Sequence, residues 1–386
     1  MGDYGDPPPL YPTNPTKEQV FSPTIGFNVG SLMSPSFAPS APPDPGLDLH
    51  EDQTVQSNSY MPQSSQLTVT PTVVPADYFD PQDDANILRR AIKSFGTDEK
   101  AIINVLTKRS NAQRLEIADQ FKALYDTDLI NLIQRKLGGN FAKTIIALIT
   151  PLPQFYAKEL HDVLSGEVND ETVLVEVLCT LNNAEIKAIK EAYHCTYRNT
   201  LKSHLKDDTR VFRRLMFSLC NAERDESMAV DPLGATADAE ALYNAEKEHW
   251  GSIDEYTFHT ILCQRNYSQL KLIFQEYHKI SKHDIEKTIK REFSGDRTQE
   301  GLFLDIVSAI KSPQGFLAKC LHNSMKGLGT NNRDLIRVVV TRCEKDMKEI
   351  KREYLFKNHG ESLADAIRED TSGDYKRCLL ALIGEA

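Results

Sequence analysis

The stretch Met325-Lys326-Gly327-Leu328-Gly329-Thr330 lies between two helical patterns, Phe316 to Ser324 before it and Arg333 to Arg342 after it. Two glycines two residues apart let the backbone take positive φ, where other residues meet a steric cost. A helix ending there leaves carbonyls without intrahelical partners, and a tight glycine turn can aim them at one external point. Forty residues beyond Thr330 comes Glu369-Asp370-Thr371-Ser372-Gly373, an acidic pair just before a new helix. Neutral carbonyls plus one carboxylate make an oxygen-rich set suited to a hard cation, Ca²⁺ above all. The plainer reading is a helix–helix turn with Asp370 as an N-cap. Recurrence of the pairing elsewhere in the chain separates the two.

The 386 residues are 26% charged and 40% hydrophobic, with a formal net charge of −10. That balance argues against nucleic acid as a partner and, taken alone, against an anionic membrane. The seven cysteines are Cys179, Cys195, Cys220, Cys263, Cys320, Cys343 and Cys378. They form no CxxC and fall in apolar helical patterns, so they read as small buried hydrophobes in a reducing compartment. No basic stretch followed by an apolar core opens the chain, and no apolar run approaches bilayer length. The expectation is a soluble cytoplasmic protein without an anchor of its own.

Fifteen of the nineteen prolines lie in the first 81 residues, among many Ser, Thr and Gln. Such a segment buries too little apolar surface to offset its ordering entropy, so residues 1–80 read as a disordered tail. Its segment Pro7-Pro8-Pro9-Leu10-Tyr11-Pro12 is either a solvated spacer or a docking peptide for a protein partner. From Asp83 onward apolar residues recur at helical spacing, and no segment alternates like a strand. Four segments align: Leu106 to Phe121, Cys179 to Tyr193, Cys263 to Tyr277 and Val340 to Tyr354. Phe121, Tyr193, Tyr277 and Tyr354 then correspond, as do Arg109, Leu181, Arg265 and Arg342. This predicts an all-α fold of four repeats with about five helices each, over 83–150, 151–222, 235–311 and 312–386. The extra length around Glu223 to Asp238 reads as a linker between two pairs of repeats.

The opening pair can be sought in each repeat. Repeat 4 has it in full: the Met325, Gly327 and Gly329 carbonyls, then Asp370. Repeat 3 has His249-Trp250-Gly251-Ser252 and then Glu292, with histidine at the first glycine position. Repeat 2 has Ser165-Gly166-Glu167-Val168-Asn169 and then Asp207-Asp208, but β-branched Val168 suits positive φ poorly. Repeat 1 has Lys93-Ser94-Phe95-Gly96-Thr97-Asp98-Glu99, yet its distal position holds Lys136. An ammonium there repels Ca²⁺ and offers no acceptor; alternatively it meets lipid phosphate directly.

These residues carry a resemblance. Residues 83 to 386 resemble the annexin family in all four repeats, through Met325 to Thr330, Ile367 to Tyr375 (IREDTSGDY) and Ser110 to Ile117 (SNAQRLEI). The resemblance implies a curved disc of four five-helix repeats, Ca²⁺ as the cofactor, and reversible binding to acidic phospholipid membranes through Ca²⁺ loops on one face. It also implies a smaller secondary site in repeat 1 from the Thr97 carbonyl and the Glu99 carboxylate, and surface exposure by unconventional export is known among annexins. Such bridging answers the charge problem, because Ca²⁺ on an acidic protein supplies the positive charge that a negative leaflet requires. Trp250, the only tryptophan, reads either as core or as a ring for the membrane interface. There is no Gly-x-Ser-x-Gly, Walker or His-Glu-x-x-His motif, and the histidines fall at scattered helical positions that read as solvated or capping, so no enzyme is expected. The competing reading is a Ca²⁺-independent helical scaffold for protein partners.

Overall fold

The computed structural model describes residues 69–92, 96–206, 210–248, 255–327 and 329–385. Among these residues all regular structure is helical, and no helix is long and apolar enough to cross a membrane. Repeat 1 contains α1 (Pro81–Ile92), α2 (Glu99–Leu106), α3 (Asn111–Tyr125), α4 (Leu129–Lys136) and α5 (Gly139–Leu148). Repeat 2 contains α6 (Leu152–Leu164), α7 (Thr172–Thr180), α8 (Asn183–Tyr197), α9 (Leu201–Lys206) and α10 (Val211–Leu219). Repeat 3 contains α11 (Pro232–Glu248), α12 (Glu255–Gln264), α13 (Tyr267–Ser281), α14 (Ile285–Glu292) and α15 (Arg297–Lys311). Repeat 4 contains α16 (Pro313–Met325), α17 (Asn332–Arg342), α18 (Met347–Lys357), α19 (Leu363–Asp370) and α20 (Gly373–Leu382).

The third helix organises each repeat. Ser110 with Gln113, and Asn182 with Glu185, form reciprocal capping boxes that start α3 and α8. Each third helix packs against the first helix of its repeat and buries its aromatic: Phe121, Tyr193, Tyr277 and Tyr354 are at most 1% exposed. Just beyond, Asp126, Arg198, Lys282 and His359 all take left-handed φ, at 46°, 54°, 61° and 54°. These four stand at the same spacing as the aromatics, although none is glycine. A non-glycine residue there costs about 1 kcal/mol, and the third-to-fourth helix turn is kept in every repeat despite it. Arg109 and Arg265 each bond through two nitrogens to an aspartate of the first helix in their own repeat, Asp84 (2.6 and 3.1 Å) and Asp238 (2.7 and 3.1 Å).

Several contacts join the repeats. α5 packs on α17 and α20, α7 on α15, and α10 on α12. Buried Arg337 of α17 reaches Glu176 at 2.9 Å and Glu159 at 3.2 Å in repeat 2, so its charge is compensated away from water. Gln269 clamps the linker, accepting from the Asp231 N–H at 2.8 Å and donating to its carbonyl at 2.9 Å. Gln113, at the matching position, does the same to Ala76, at 3.0 Å both ways.

That clamp corrects the expected extent of the disordered tail, because residues 70 to 76 are pinned to the repeats. The Thr72 and Val73 N–H groups donate to the Cys343 carbonyl at 2.8 and 3.0 Å, the Thr72 hydroxyl donates to the Leu382 carbonyl at 2.5 Å, and Val73 is buried. Composition missed this because the bonds are made by backbone and one hydroxyl rather than by an apolar run. Residues 1–68, with the Pro7 to Pro12 segment, lie outside the described residues. Cys195 is a second correction: it is exposed. It follows buried Tyr193 by two residues on α8, roughly 200° around the helix.

Candidate metal centre

In repeat 4 the loop after α16 is closed by the Asn331 N–H, which donates to the Ser324 carbonyl at 2.7 Å. Gly327 and Gly329 sit at φ +103° and +88°, and a Cβ at either would meet nothing within 4 Å. Their requirement is therefore conformational: positive φ turns the loop, and space is not at issue. The Thr330 hydroxyl donates to the Asp370 carbonyl at 3.2 Å, tying the loop to the end of α19. Met325 and Asp370 line one cavity of about 190 Å³, together with His322, Lys326, Tyr354, Glu361 and Glu369.

Asp370 is the last residue of α19, and α20 opens at Gly373 after Ser372, so Asp370 is not an N-cap. Its Oδ2 is shielded from solvent and has no hydrogen-bond partner. A shielded carboxylate oxygen without a donor is costly. A hard cation would satisfy it, and the neighbouring loop supplies backbone oxygens of the right chemistry. Among the described residues no three His, Cys, Asp or Glu side chains converge on a metal position. A site built from carbonyls and one carboxylate needs no such cluster.

Repeat 1 repeats the loop closure: the Asp98 N–H donates to the Ala91 carbonyl at 2.9 Å, and Gly96 has φ +85°, close to Gly329. The Thr97 hydroxyl donates to the Glu99 carboxylate, so these two residues are together. Lys136 is exposed at the end of α4, matching the position of Asp370 on α19 once one residue inserted before α19 is allowed for. In repeat 2 the loop closes differently. The Val168 N–H donates to the Asp162 carbonyl at 3.0 Å and the Gly166 N–H to that of Val163 at 3.3 Å. Val168 packs against the core, which turns the segment inward where a second glycine would let it open. In repeat 3, Glu292 ends α14, its side chain almost fully covered, while His249, Trp250 and Gly251 lie outside the described residues, as does Asp208 of repeat 2.

His161 and His204 of repeat 2 overturn the expectation of solvated or capping side chains, whereas His194 is exposed as expected. His161 stacks on Tyr197 with ring centroids 3.7 Å apart, its Nδ1 lies 3.1 Å from the Tyr193 hydroxyl, and that hydroxyl lies 2.5 Å from His204 Nδ1. Burial and His204 hold the His161 pKa below its ordinary value. The partners come from α6, α8 and α9, so no local spacing signals the group.

Four five-helix repeats, with positive-φ glycines after the first helix in repeats 1, 2 and 4 and an acidic residue ending the fourth helix in repeats 3 and 4, define a class of repeat protein with the makings of loop-borne cation sites. The annexin family model matches residues 83–148, 155–219, 237–299 and 316–382. Rat annexin A5 is 43% identical over 314 residues, covering 81% of this chain and 97% of that protein. Mouse annexin A3 is 42% identical over 308 residues, covering 80% and 94%. The solved structure of annexin III superposes with a TM-score of 0.77 at 40% identity, covering 81% of this chain and 97% of that one. The chain belongs to the annexin family. Annexins are non-catalytic membrane-binding proteins, and membership supports a general capacity for Ca²⁺ and Ca²⁺-dependent, peripheral association with acidic phospholipid membranes from the cytoplasm.

Proposed function

We propose that repeat 4 carries the principal Ca²⁺ site, formed by the Met325, Gly327 and Gly329 carbonyls with the Asp370 carboxylate, and that this site joins the protein to acidic phospholipid. The observation that carries the reading is the shielded, unpartnered Oδ2 of Asp370 beside a loop held open by two positive-φ glycines. Bound Ca²⁺ supplies surplus positive charge and open coordination positions that phosphate oxygens can fill. Asp370 and the loop carbonyls orient and hold; the anchored Thr330 fixes their spacing. His249, Gly251 and Glu292 form the equivalent set in repeat 3, and Thr97 with Glu99 a smaller one in repeat 1. Several sites on one face would add as avidity. A docking role for the Pro7 to Pro12 segment rests on its sequence alone.

Calorimetric titration of Ca²⁺ in the presence of phosphatidylserine vesicles tests the assignment. Asp370→Asn and Glu292→Gln are each expected to remove one bound Ca²⁺ per chain. Unchanged stoichiometry in Asp370→Asn overturns the repeat 4 site.

A further inference from the structure

In two repeats the hydroxyl of the buried third-helix tyrosine reaches the fourth helix at one spacing. In repeat 3 the Tyr277 hydroxyl pairs with the Thr288 hydroxyl of α14 at 2.7 Å, eleven residues on. In repeat 2 the Tyr193 hydroxyl pairs with His204 Nδ1 of α9, also eleven residues on. A threonine carries no charge at any ordinary pH, whereas an imidazole changes charge near neutrality.

The proton positions in repeat 2 follow from the donors around them. Asn199 Oδ1 accepts from the Thr200 N–H at 2.9 Å and from the Ser203 hydroxyl at 2.6 Å, which fixes the orientation of the amide. Its Nδ2, a donor only, faces His204 Nε2 at 3.1 Å, so that ring nitrogen is bare and accepts. Neutral His204 then carries its proton on Nδ1 and donates it to the Tyr193 oxygen. Burial pushes the Tyr193 pKa up, so the phenol keeps its own proton, and its remaining partner is His161 Nδ1 at 3.1 Å. His161 Nδ1 therefore accepts, and its single proton sits on Nε2. The hydrogen bonds run in one direction, from α9 through α8 to α6, and every member is satisfied only while both rings are neutral. A proton on His161 Nδ1 would set one donor against another and leave the phenol proton without an acceptor. Asp162 and Glu167 favour a charge on His161, and Lys158 and His204 oppose it. Asp162 is already engaged by Lys158 and Arg333, Glu176 of α7 is turned to Arg337, and α8 brings the uncharged Tyr193 and Tyr197. His204 shares a cavity of about 840 Å³ with Asp170, Glu171, Arg210, Arg213 and Asp305, and both arginines are paired to Glu171.

We propose that His161, Tyr193 and His204 form a pH-sensitive latch that holds α9 against α6 and α8 while both imidazoles are neutral and releases it when His161 takes up a proton. α9 has six residues and is otherwise held by buried Leu201 and Leu205, so it is the element that a broken latch frees first. The folded-state pKa of His161 lies below its ordinary value, so the latch is closed above about pH 6.5 and its contribution is lost as pH falls through the folded-state value. The latch does not depend on the Ca²⁺ assignment, and its test is made on the full chain in EGTA. Long-range ¹H–¹⁵N spectra at about pH 7.5 should show His204 protonated on Nδ1 alone and His161 on Nε2 alone; the opposite tautomer on either ring, or a cationic His161, would overturn the chain of bonds. Hydrogen exchange at the His204, Leu205 and Lys206 amides, corrected for intrinsic rate, should be about three- to tenfold less protected at pH 5.5 than at pH 7.5, because an ordinary imidazole at the lower pH is about ten parts protonated to one neutral. α14, held through Thr288, should show no such change. His161→Asn keeps an acceptor near the Nδ1 position without the titration, so α9 should stay protected at both pH values. Tyr193→Phe should leave α9 poorly protected at both. Equal protection of α9 at the two pH values in the wild type, or an undiminished pH response in His161→Asn, would overturn the latch.

Discussion

Asp370→Asn should raise the stability of the Ca²⁺-free protein while removing its response to Ca²⁺. In the structure Oδ2 of Asp370 is shielded and unpartnered beside the loop carbonyls of repeat 4. A buried polar atom left unsatisfied costs about 1–3 kcal/mol. An asparagine amide in its place can donate to those carbonyls, so about 1 kcal/mol should be recovered without metal. For a chain of this size that is a rise of about 1–2 °C in Tm. With Ca²⁺ the sign reverses, because ligand binding stabilises the native state by mass action and the variant loses its charged ligand. At saturating Ca²⁺ the wild type should gain several degrees over its EGTA value, and the variant markedly less. Scanning calorimetry of both proteins, each with EGTA and with millimolar Ca²⁺, reads the four numbers. A variant that melts below wild type in EGTA would refute the claim that this carboxylate is left wanting a cation.

Three further outcomes are expected. Asp370→Ala should raise the Ca²⁺ needed for half-maximal vesicle binding about tenfold or more, and Asp208→Ala less than twofold, since Val168 turns the repeat 2 loop inward; equal shifts by co-sedimentation would contradict this ranking. A chain beginning at residue 69 should melt like the full chain, whereas one beginning at Ala76 loses the Thr72 and Val73 bonds and the buried Val73 side chain, about 3 kcal/mol together, read as a lower urea midpoint. Burial pushes the Asp334 pKa up to about 6, so its charged form is disfavoured in the folded state and stability falls as pH rises from about 4 to 6; Asp334→Asn should flatten that part of the Tm–pH profile, and an unchanged slope would assign it elsewhere.

Much of the fold was legible because it repeats. Phe121, Tyr193, Tyr277 and Tyr354 are buried at one position in each repeat, and the intervals between them predicted four units before any contact was known. What escaped was set by tertiary structure. The left-handed turns at Asp126, Arg198, Lys282 and His359 carry no glycine, so local propensity is silent there. Residues 70 to 76 read as tail because their partners, Cys343 and Leu382, are some 270 and 310 positions away. At the site, the glycine pair and Asp370 were visible from spacing and residue type. The burial of Asp370 Oδ2 depends on how α19 and α20 pack, and no motif encodes it.

The central claim is that Ca²⁺ held by loop carbonyls and single carboxylates joins an acidic protein to an acidic membrane. Co-sedimentation with phosphatidylserine vesicles across a Ca²⁺ titration, followed by EGTA, tests it most directly. The account predicts binding that rises with Ca²⁺, is released by EGTA, and shifts to higher Ca²⁺ in Asp370→Asn. Equal sedimentation in Ca²⁺ and EGTA at physiological salt would contradict it.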